Sequence, residues 1–264
     1  DEAIIRVGKY AVALRILQFT IGTITTAFGN FIRLQDQLLD LRKALPITTD
    51  FNKFTLQAIQ IADKFGAKLD DVTRAFFIFS QMGLSSSQVL ERTQAAMLGV
   101  NAANLDLEQS INAITVALNI FNEEGLTASS VIDKIVAVQA QYAVSTEDLV
   151  FGLQRIGSIV KSTGGNLDLL LGLVAGVAEV TRKGGEEIGA GLKTILSTLT
   201  SERAREELAK YKIAVTDSTG AFRPLLSILT DLTSTLEGTS KSTRQLSDTE
   251  KDSLSQVLAG VRRR

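Results

Sequence analysis

The alternation of apolar and polar residues is most regular at the start of the chain. Val7, Leu14, Ile21 and Phe28 recur every seven residues, and Tyr10, Leu17, Ile24, Phe31, Leu38 and Leu45 form a second series three residues behind the first. Together they are the a and d positions of a heptad repeat, with Gln35 and Arg42 as polar interruptions at a-type sites. A seven-residue spacing kept over many turns drifts around a straight helix, so it favours winding against another helix. The flanking sites are Ala11, Ala13, Thr20, Thr25 and Ala27, then Ile32, Leu34, Leu39 and Leu41, all small or apolar rather than charged. A face this wide predicts more than two helices around the seam, and the ten a/d residues from Val7 to Leu45 are its expected oligomerisation contacts. The same periodicity also fits a buried helix of an ordinary bundle. Pro46, followed by Thr48-Thr49-Asp50, ends the element because proline cannot continue the hydrogen-bond ladder.

From Phe51 to about Leu199 the pattern changes to short amphipathic helices with polar caps. Gly83-Leu84-Ser85-Ser86-Ser87-Gln88-Val89 returns 42 positions later as Gly125-Leu126-Thr127-Ala128-Ser129-Ser130-Val131. In each, the glycine suits a left-handed helix end and a Ser or Thr suits the cap of the next helix. Leu69-Asp70-Asp71-Val72 leads into Ala75, Phe76 and Phe79; Leu105-Asp106-Leu107-Glu108 leads into Ile114, Leu118 and Phe121. A looser third copy starts at Ser145-Thr146-Glu147-Asp148-Leu149 and turns at Gly164-Gly165-Asn166-Leu167-Asp168. The unit is a helical hairpin of roughly 40 residues, within the size range of stacked repeats. With so few copies, a compact bundle and a solenoid are both open.

Past Leu199 comes a charged, exposed helix from Ser201 to Lys210, then a very short β-hairpin near 212–222 built on the turn Thr216-Asp217-Ser218-Thr219-Gly220. Pro224 starts a helix with Leu225, Leu226, Leu229, Leu232 and Leu236 on one side. Residues 238–252 are rich in Ser, Thr and charge, and a last short helix carries Leu254, Val257, Leu258 and Val261. The expected organisation is all-α: a long coiled-coil-like helix over 1–46, a helical-hairpin core over 47–200, and a C-terminal helical segment over 201–264.

Composition narrows the chemistry. The chain has no His, Cys or Trp, which removes thiol nucleophiles, His-based triads and the usual zinc, iron and copper ligand sets. A net charge of −1 with interspersed signs offers no basic surface for specific nucleic-acid binding. Gly189-Ala190-Gly191-Leu192-Lys193-Thr194 looks like a phosphate loop, but that loop needs Gly directly before Lys, and Leu192 breaks the spacing. Close helix packing explains these small residues better, as it does Gly185-x-x-x-Gly189. Ser158-Ile159-Val160-Lys161 fits the Ser-x-x-Lys pattern of acyl-serine enzymes without either companion motif. The adjacent pairs Asp70-Asp71, Glu123-Glu124 and Glu186-Glu187 do not face each other on a helix and make poor acid/base partners; Asp70-Asp71 suits a helix N-terminus. Two apolar runs, 10–28 and 167–180, raise the question of a membrane. The first holds Arg15, Gln18 and four threonines, and the second is too short to span. The chain starts at Asp1 and stops at Arg262-Arg263-Arg264, which reads as a segment of a longer protein.

Taken in order, these features resemble the core region of the tail tape-measure family of long-tailed phages. The resemblance covers roughly residues 50–262. It runs through the Gly83 and Gly125 turns, Ser145-Thr146-Glu147-Asp148-Leu149, Gly164-Gly165-Asn166-Leu167 and Gly184-Gly185 before Gly189-Ala190-Gly191-Leu192. It continues through Ile213-Ala214-Val215-Thr216-Asp217-Ser218-Thr219-Gly220-Ala221-Phe222-Arg223 to the closing Leu258-Ala259-Gly260-Val261-Arg262. Each motif is a helix, turn or cap signal; their order and spacing carry the specificity. The resemblance implies a structural virion protein with no catalytic, cofactor or metal site, made in the host bacterial cytoplasm and held in the tail-tube lumen or at the tail tip. It would form a homo-oligomer of three or more copies, set tail length while tube protein assembles around it, contact tail-tip and baseplate proteins, and leave during genome ejection, meeting the host membrane. Two other classes stay open: a membrane-active helical protein forming or assisting a channel for DNA delivery, and a cytosolic helical adaptor. An enzyme acting through Ser158 is the remaining class.

Overall fold

A computed structural model describes residues 51–236, and these residues are all-α. Ten helices follow one another: α1 (Phe51–Phe65), α2 (Leu69–Gln81), α3 (Ser86–Ala102), α4 (Leu107–Ile120), α5 (Ala128–Gln141), α6 (Thr146–Ser162), α7 (Leu167–Thr181), α8 (Gly185–Leu199), α9 (Glu202–Lys210) and α10 (Leu225–Leu236). A short 3-10 turn, Asn122–Glu124, lies between α4 and α5. The expected long helix and its seam, Val7, Tyr10, Leu14, Leu17, Ile21, Ile24, Phe28, Phe31, Leu38 and Leu45, lie outside the described residues, as do residues 238–252 and the closing Leu254–Val261 segment.

Several of the helices start at a side-chain cap. At the first residue outside a helix, an oxygen two or three positions ahead of free backbone N–H groups satisfies one of them. Asp106 accepts from the Gln109 amide at 2.7 Å, and Gln109 answers through a capping box. Thr127 pairs reciprocally with Ser130, Ser145 accepts from the Asp148 amide at 3.0 Å, and Asn166 accepts from the Leu169 amide at 2.8 Å. Left-handed glycines stand in the turns just ahead of α3, α5 and α7: Gly83, Gly125 and Gly164, with φ of +71°, +64° and +72°. An L-residue pays a steric penalty there that glycine avoids. The repeated Gly-x-cap turns expected from the sequence are therefore present as such.

The chain forms two compact units, Asp1–Thr93 and Gln94–Arg264. In the first, α1 packs on α2, burying Ala58, Ile61 and Ala62 from α1 and Val72, Ala75, Phe76 and Phe79 from α2. In the second, the packing answers the question of bundle or stack. From α4 to α8 each helix touches its sequence neighbour and also the next helix but one, α4 with α6, α5 with α7 and α6 with α8, and the most extensive of these contacts joins α6 with α8. This is a two-row stack of hairpins, α4–α5 then α6–α7, with α8 continuing the first row. Hydrogen bonds tie the N-terminal ends of alternate helices together, Gln109 Nε2 donating to Glu147 Oε1 at 2.8 Å and the Gly185 amide to Asp148 Oδ1. The rows are closed by one core that includes Ile135, Leu149, Leu153, Ile156, Leu170, Leu171, Val174, Ile188 and Leu196.

Two local expectations change. The short hairpin near 212–222 is a turn closed by a single antiparallel bridge, Thr216 with Phe222, reinforced by Arg223 N–H donating to the Val215 carbonyl at 2.9 Å. Lys212 at φ +60° stops an extended strand on one side and Pro224 on the other. In α10 the buried side is Leu225, Ile228 and Leu232; Leu226 faces solvent at 60% exposure. The charged α9 is exposed as expected, apart from Ala204 and Leu208, which are fully buried.

Candidate assembly surface

The apparent phosphate-loop residues Gly189 to Thr194 lie inside α8, where backbone amides are committed to the helix. Their role is packing. A Cβ on Gly189 would sit 2.9 Å from the Arg155 Cβ and 3.8 Å from the Gly152 Cα of α6, and a Cβ on Gly185 would strike the Asp148 backbone. Gly152 itself faces Val174 of α7. Small residues on both helices thus let α6 lie unusually close to α8.

Ser158 is exposed on α6, and Lys161 is drawn away to Glu123, its Nζ 2.7 Å from Glu123 Oε2. That contact holds the Glu123 carboxyl below the ordinary glutamate range. Glu124, beside it, accepts from the Leu167 amide at 3.3 Å, so this pair joins one hairpin to the next. Asp70 and Asp71 occupy the first turn of α2, as negative charge at a helix N-terminus favours. Glu186 and Glu187 fill the first turn of α8, where Glu187 pairs with Lys183. Among the described residues no three acidic side chains form a group able to hold a metal ion, and no helix is long and apolar enough to cross a membrane. The apolar run at 167–180 is α7, with Leu167, Leu170, Leu171, Val174, Ala175 and Ala178 buried in the core.

Sequence reasoning missed the polar ties between hairpins. Besides Gln109–Glu147 and Lys161–Glu123, each 38 residues apart, Lys134 pairs with Asp168 at 2.5 Å across 34 residues. The buried Thr146 hydroxyl donates to the Ala103 carbonyl at 2.6 Å across 43 residues. These separations match the hairpin period, so pairing polar residues one repeat apart would have found most of them. Large apolar side chains remain on the outside: Leu56, Ile59 and Met82 in the first unit, and Tyr142, Phe151, Val180 and Leu226 in the second. The arrangement offers packing and docking surfaces.

Residues 55–259 match the family described as phage-related minor tail protein. No solved structure matches the chain. A match over most of the chain, in an all-helical stack of hairpins, places it: the protein belongs to the phage-related minor tail protein family and is a structural virion component of a phage tail.

Proposed function

We propose that the chain is a segment of a tail tape-measure protein, with a structural rather than a catalytic role. It sets tail length while tube subunits assemble around it, and it leaves during genome ejection. The observation that carries this reading is the tail-family match over 55–259. The heptad seam ahead of that region supports it, because a broad apolar helix gives several copies a reason to associate. In this reading the protein lies in the tube lumen or at the tail tip. Its partners are other copies of itself, the tube protein and tail-tip or baseplate proteins, with the host membrane met during ejection. The hairpin stack is then a folded domain carried by the ruler.

The test is tail length by electron microscopy after removing one hairpin in frame from the parent gene. Deleting the 39 residues 106–144 takes out α4 and α5 and places Leu105 directly before the Ser145 cap, replacing buried Val144 by buried Leu105. If the segment is drawn out as helix in the tube, tails shorten by about 59 Å, at roughly 1.5 Å per residue. If the hairpins stay stacked in line with the ruler, the loss is one row spacing, about 10 Å. Infectious particles with tails of normal length, assembled after deletion of the whole gene, would overturn the reading.

A further inference from the structure

Helix α7 is apolar on both sides, although only one side lies in the core. From Leu169 to Ala178 it holds ten residues and no polar side chain. Leu170, Leu171, Val174, Ala175 and Ala178 face inward and are buried. The outward side carries Leu169, Gly172, Leu173, Gly176, Val177 and Val180; both glycines are exposed, and Val180 is 83% exposed. A surface helix ordinarily turns polar residues outward, as α8 does with Glu186, Glu187, Lys193 and Thr194. A helix that is apolar all round is the kind that ends up covered on every side. We propose that α7 pairs through this outward face with α7 of a second copy, antiparallel, about a two-fold axis passing beside Val174.

The helix is matched to a copy of itself. Val174 is the midpoint of Leu167–Thr181, so with the axis there, residues equally far from Val174 on either side face each other. Gly172 and Gly176 are each two residues from it, and glycine therefore faces glycine. A Cβ at either position would meet nothing within 4 Å in the single chain, which leaves room for a second backbone to come close. Leu169 of one copy then packs against Val180 of the other. Charge agrees with this direction. The Lys134–Asp168 ion pair of one copy lies beside Glu179 and Arg182 of the other, so that Lys134 attracts Glu179 and Asp168 attracts Arg182. Parallel helices would instead set like charges side by side, whereas antiparallel ones also bring opposite dipole ends together. One patch used twice in this way is the contact of a two-fold dimer. The helix is 15 residues long, about 22 Å at 1.5 Å per residue. Such a strip is smaller than the roughly 800 Å² per partner of a standard interface, so the pairing is weak in dilute solution and forms where copies are crowded. It does not rest on the length-setting reading.

The absence of cysteine from the chain makes disulfide formation a clean test. Cysteines are introduced singly in the full chain, which is oxidised mildly at high protein concentration. The two-fold axis brings the two copies of residue 173 within about 3 Å of each other along the helix, and holds the two copies of residue 180 about 18 Å apart, beyond the reach of a disulfide. Leu173→Cys therefore links to itself about tenfold faster than Val180→Cys, although Val180 is the more exposed, because pairing raises the effective concentration of the first thiol only. A mixture of Leu169→Cys and Val180→Cys chains gives the mixed dimer. Gly176→Leu, added to Leu173→Cys, has open space in the single chain and keeps or raises Tm, yet slows the disulfide about tenfold by blocking the close approach; Val180→Glu does the same from the most exposed position. Self-linking of Val180→Cys as fast as Leu173→Cys overturns the proposal, as does a Leu173→Cys disulfide that neither added substitution slows. A Val180→Cys thiol shielded from maleimide by phosphatidylethanolamine–phosphatidylglycerol vesicles, with no Leu173→Cys disulfide, would assign the face to lipid and overturn it too.

Discussion

Replacing glycine by alanine at three positions of α8 has three different outcomes, and their ranking tests the close approach of α6 and α8. Gly191 is exposed in the middle of the helix with nothing within 4 Å of an added Cβ. Alanine there removes the excess backbone freedom of glycine and stabilises by about 0.5–1 kcal/mol. Gly185 is the opposite case. Its Cβ would lie 2.8 Å from the Asp148 carbonyl carbon and closer still to that residue's Cα and oxygen. Backbone cannot rotate aside as a side chain can, so α8 itself must move. Overpacking of this kind costs about 1–3 kcal/mol, and displacement also loses the Gly185 amide bond to the Asp148 carboxylate, worth about 1.5–3 kcal/mol. A net loss of about 3 kcal/mol follows. Gly189 falls between, because its Cβ meets the Arg155 side chain, at 2.9 and 3.1 Å, and only the outer part of that chain can yield freely.

Thermal unfolding followed by far-ultraviolet circular dichroism reads the ranking. For a folded region of this size each kcal/mol moves Tm by about 2–4 °C, so Gly185→Ala lowers it by about 6–12 °C and Gly191→Ala raises it by about 1–4 °C. A Gly185→Ala protein that melts at or above the parent temperature refutes the α6–α8 crossing described above. A common shift of all three variants in one direction would also refute it, since helix propensity alone would then explain the result.

Two further substitutions contrast a buried hydroxyl that has no hydrogen-bond partner with one that does. Thr93 is fully buried with its hydroxyl unpaired, so Thr93→Val stabilises by about 1 kcal/mol or more, whereas Thr146→Val breaks the bond to Ala103 and costs about 1–2 kcal/mol; urea unfolding of each measures the difference, and equal signs would contradict it. The Glu123–Lys161 contact sets a pH dependence. Because folding lowers the Glu123 pKa, its contribution is present above the ordinary glutamate range and is lost as pH falls through the lowered value. The stability gap between parent and Lys161→Met is therefore open at neutral pH and closes in strong acid, as melting curves across pH would show. A gap that persists in strong acid contradicts the pairing.

The features legible in the sequence are those whose causes are local. A cap oxygen reaches an amide three residues away, and a left-handed glycine acts within one turn, so Gly125-Leu126-Thr127 announced its structure without any partner. The choice between stack and bundle was not legible in this way. It depends on which helices meet, and that is decided where Gly185 and Gly189 let α8 settle against α6. Nor could a leucine count orient α10, because Leu225 and Leu226 are equally apolar and only the core beyond Thr163 selects one of them: the Leu225 amide donates to the Thr163 carbonyl at 3.1 Å, and Leu226 is left outside. Yet the long-range ties do carry a sequence trace. Gln109–Glu147 and Glu123–Lys161 lie 38 residues apart, and the Leu167 amide donates to the Glu124 carboxylate across 43. In a stack each unit meets its neighbour through equivalent positions, so long-range contacts inherit the period of the repeat. The repeat therefore holds tertiary information that helix-by-helix reading discards. For a tail protein whose described residues present packing faces, those neighbour contacts are where function is to be sought, and loosening one of them by Gly185→Ala changes how firmly two hairpins are held together.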